Sequence, residues 1–81
     1  MSVDTTGSAH LALANRFVDE ANRMMAEGEE PEALGLAMTH AAANFTAFAG
    51  FLNDATTEEL DNVADEYRRL LHAYVAARRE S

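Results

Sequence analysis

The chain has 81 residues, 48% of them hydrophobic, and sets 14 carboxylates against six Arg and no Lys, for a formal charge of −8. That length holds one small domain, and with no Cys it excludes disulfides, thiolate metal sites and cysteine nucleophiles. A balance this acidic repels phosphate backbones and argues against nucleic acid as a direct partner.

Residues 1–8, MSVDTTGS, hold turn and capping types without an apolar period and are read as a flexible tail. No basic region followed by an apolar stretch appears there, so no signal peptide is expected and a cytoplasmic location is. From Ala9, apolar residues recur at Leu11, Ala14, Phe17, Val18, Ala21, Met24 and Met25, the spacing of one helical face. The first helix is predicted over about 9–27. Gly28 is placed to end it, because glycine takes a positive φ without steric cost.

The second helix is predicted over 31–52, with Pro31 in its first turn and Glu29, Glu30 and Glu32 favouring the positive end of its dipole. Its 21 residues from Ala33 to Asn53 include no Asp, Glu, Lys or Arg, and 14 of them are Ala, Leu, Met or Phe. A helix apolar around most of its circumference is expected to be buried. Leu34, Met38, Ala41, Phe45, Phe48 and Leu52 step by four and three, a heptad seam. Gly35, Ala42 and Ala49 repeat beside it as small residues that let a neighbouring helix approach. A third stripe comprises Leu36, His40, Ala43, Ala47 and Phe51. The segment is about as long as a membrane span. However, Thr39, His40, Asn44 and Thr46 sit near its middle and both flanks are acidic, so no membrane crossing is expected.

The third helix is predicted over 57–78. Thr56 and Glu59 form a capping box at its start, and Leu60, Val63, Ala64, Tyr67, Leu70, Leu71 and Tyr74 supply an apolar face. Asp65 is spaced to pair with Arg68 and Arg69. Two short connections give an all-α fold, a three-helix up-down-up antiparallel bundle over residues 9–81. A chain this small has little stability surplus. The third stripe of the second helix would lie bare in such a bundle, so assembly into a homo-oligomer through Leu36, His40, Ala43, Ala47 and Phe51 is expected.

Three segments carry a family resemblance: Phe17-Val18-Asp19-Glu20-Ala21-Asn22, Ala41-Ala42-Ala43-Asn44-Phe45-Thr46-Ala47-Phe48 and Glu66-Tyr67-Arg68-Arg69-Leu70-Leu71. Together they resemble a group of short, all-helical bacterial proteins catalogued as domain of unknown function 3144, over residues 15 to 72. Asn44 and Thr46 depart from the group's central motif. The resemblance implies a helical, cytoplasmic, bacterial protein and implies no activity.

Sites for chemistry are sparse. The residues three before His10, His40 and His72 are Gly7, Ala37 and Arg69, so the Glu-x-x-His pairs of a di-metal bundle are missing. No His-x-x-x-His occurs. The serines are Ser2, Ser8 and Ser81, with no nucleophile motif and no phosphate-binding glycine loop. Asn44 falls inside the heptad seam and is expected to be a buried polar group whose amide requires a partner. Two functions remain. The first is a non-enzymatic helical module that oligomerises and docks another protein, without cofactor or metal. The second is a small-ligand or metal-binding protein using His40 and Asn44.

Overall fold

The computed structural model describes the backbone of residues 3–80 and the side chains of residues 10–80. Three helices follow in chain order: α1 over Val3–Ala26, α2 over Pro31–Leu52 and α3 over Thr57–Glu80. No strand occurs among the described residues. Helix α1 begins at Val3, so it takes in most of the segment read as a tail. Helix nucleation is costly but propagation is cheap, and no proline stands between Val3 and Ala9 to stop the extension.

Both connections use the same C-terminal device. At the end of α1 the Gly28 N–H donates to the Met25 carbonyl (3.0 Å) and the Glu29 N–H to the Met24 carbonyl (3.1 Å). Gly28 takes a φ of +112°. These bonds make a Schellman motif with Gly28 as the left-handed residue. At the end of α2 the Asp54 N–H donates to the Phe51 carbonyl (3.3 Å) and the Ala55 N–H to the Gly50 carbonyl (2.8 Å). Asp54, at φ +54°, is here the left-handed residue. The Asn53 amide also donates to the Ala49 carbonyl at 2.9 Å, satisfying another acceptor that the ending helix leaves open.

Helix α3 starts from the capping box. The Glu59 N–H donates to Thr56 Oγ1 (3.1 Å), and the Thr56 N–H donates to Glu59 Oε1 (2.8 Å). Two of the N–H groups that a helix start leaves open are thereby satisfied reciprocally.

The chain divides into two compact units, one ending at Ala41 and the other beginning at Ala42. The boundary falls at the middle of α2, where the sequence suggests one domain over 9–81. In the first unit, Ala21, Met24 and Leu34 are half-buried. In the second, Thr46, Ala49, Gly50 and Ala55 are half-buried. A Cβ built on Gly50 would lie 3.1 Å from Leu60 Cδ2 and 3.4 Å from the Ala55 Cβ, so glycine permits the close approach of α3 at this elbow.

No described side chain is fully buried, and α2, expected to be enclosed, contains no buried residue. The reason is geometric. Each unit is a helical hairpin of about 40 residues, which gives every helix one neighbour within its unit. One neighbour covers one face, whereas α2 is apolar on three.

Candidate interaction surface

Within the second unit, α2 turns Thr46, Ala49 and Gly50 toward α3, where Gly50 meets Leu60. At 100° per residue, Phe45, Phe48 and Leu52 fall on a different face. They are 69%, 52% and 62% exposed. The Phe45 and Phe48 rings pack on each other, with centroids 5.7 Å apart and planes inclined by 55°. The sequence pattern assigns these three to a seam covered within the chain, and the structure leaves them open. They are surface residues that sequence reasoning misses, and their signal was the heptad spacing itself.

The expected oligomer stripe is exposed throughout: Leu36 and His40 in the first unit, Ala43, Ala47 and Phe51 in the second. Among the described residues, Phe51 is the most exposed of the large apolar side chains, at 80%. The stripe has large apolar side chains only at Leu36 and Phe51, with small or polar residues between.

Asn44, expected to be a buried polar group, lies open in the single chain. It is exposed rather than buried, because no helix of its unit covers its side of α2, and its amide therefore places no demand on a partner within the chain. His40 is also exposed, and it belongs to the other unit. Among the described residues, no group of three or more His, Cys, Asp or Glu stands close enough to hold a metal ion.

One open groove of about 290 Å³ lies at the α2–α3 elbow, lined mainly by Ala49, Gly50, Ala55, Leu60 and Val63. Two of the polar groups at this groove, the Asn53 amide and the Glu59 carboxylate, are engaged by the Ala49 carbonyl and the Thr56 N–H. Their roles are local to the helix ends.

The charged side chains pair along single helices. Arg23 bridges Glu20 and Glu27, the latter at 2.7 Å, in the first unit. In the second, Arg68 meets Asp65 at 2.8 Å and Arg69 meets Glu66 at 2.5 Å. Arg69 thus takes Glu66, where the sequence spacing pointed to Asp65. Hydrogen bonds from Arg23 and Arg69 hold the Glu20 and Glu66 carboxyls below the usual glutamate range. All four pairs are well exposed and contribute little to stability.

Among the described residues no helix is long and apolar enough to cross a membrane. No protein-family model matches the chain, and no curated protein or solved structure matches it at a significant level.

Proposed function

We propose that this protein is a non-enzymatic helical module that works by assembling with further copies of itself through α2. The observation that carries the reading is the absence of any fully buried side chain among the described residues. Isolated units near 40 residues ordinarily require disulfides, a metal or oligomerisation to be stable. The chain has no Cys, and the described residues offer no cluster of metal ligands. Assembly is the remaining source of burial. Fully burying a Leu, Phe or Met side chain contributes about 1.5–3 kcal/mol, and α2 alone leaves Leu36, Met38, Phe45, Phe48, Phe51 and Leu52 exposed. Large exposed apolar patches mark contact sites.

The test is sedimentation equilibrium from about 1 to 100 µM, combined with thermal melts at both ends of that range. Assembly predicts a mass above the 8.8 kDa of one chain and a melting temperature that rises with concentration. A cooperatively folding 8.8 kDa species at the top concentration refutes the reading. A cytoplasmic module of this kind can also dock a second protein, which retention of an unrelated chain by the assembled form would report.

A further inference from the structure

We draw no further inference here: the strongest candidate, the exposed apolar face that Phe45, Phe48 and Leu52 form on the second half of α2, carries none because nothing in the structure shows what covers it.

Discussion

Gly28→Ala and Asp54→Gly change the same position of the same motif at two helix ends, and their energetics should differ. At Gly28 the backbone sits at φ +112°, and nothing approaches within 4 Å of a Cβ built there. The cost of alanine is therefore conformational rather than steric. A left-handed conformation costs an L-residue about 1–2 kcal/mol, and this φ lies beyond the usual left-handed value near +57°, so the upper part of that range applies. Replacing glycine also removes unfolded-state freedom, which returns about 0.4–1 kcal/mol. The net expectation for Gly28→Ala is a loss of about 1 kcal/mol. At Asp54, with φ +54°, glycine relieves a smaller penalty, since aspartate tolerates this region, and adds unfolded-state entropy of similar size. Asp54→Gly should stay within about 0.5 kcal/mol of wild type. Urea melts at one fixed protein concentration, with unchanged m-values, measure both. Equal losses for the two, or a Gly28→Ala chain as stable as wild type, would refute the account of these helix ends.

Three further outcomes are expected. Thr56→Ala should cost about 1 kcal/mol, because Glu59 loses the acceptor for its N–H and the return bond from Thr56 N–H loses its orientation; denaturant melts showing no loss would place the start of α3 elsewhere. Acid should weaken the fold through Glu20 and Glu66: their lowered carboxyls contribute stability above the ordinary glutamate value, 4.5, and that contribution fades as pH falls through the lowered values. A Glu20→Gln, Glu66→Gln chain should accordingly show an acid limb that is only slightly flatter in a stability–pH titration, because pairs this exposed contribute little, and a steeper limb would contradict the sign. Assembly should tighten as NaCl rises from about 20 to 500 mM, because each copy brings a charge of −8 and salt screens the repulsion; weakening with salt would indicate an interface built on ion pairs.

What could be read from the sequence was local. Pro31 begins α2 and Gly28 follows α1, because backbone restrictions act within a few residues. The Thr56–Glu59 box was legible for the same reason: both partners lie in one turn. The left-handed role of Asp54 was less visible, since aspartate occupies many conformations and carries no positional mark of the kind glycine does. The start of α1 was misplaced because apolar periodicity reports a buried face rather than a helix end. Asn44 shows a different limit. Its position on the helical wheel was right, but the wheel states only which residues share a face. Whether that face is covered depends on a second element, and within one chain none covers Asn44.

The same limit explains why α2 reads as a core helix and yet has no buried residue. The hydrophobic effect is proportional to area and has no direction, so an uncharged run from Ala33 to Asn53 states that cover is required without naming its source. Direction has to come from interactions that penalise wrong neighbours. Here that discrimination is electrostatic. The acids before Ala33 and after Asn53 fix where an uncharged contact ends, and the ion-paired faces of α1 and α3 carry charges that phenyl rings cannot compensate. Specificity in a protein with so few polar contacts between helices would then arise from where charge is absent.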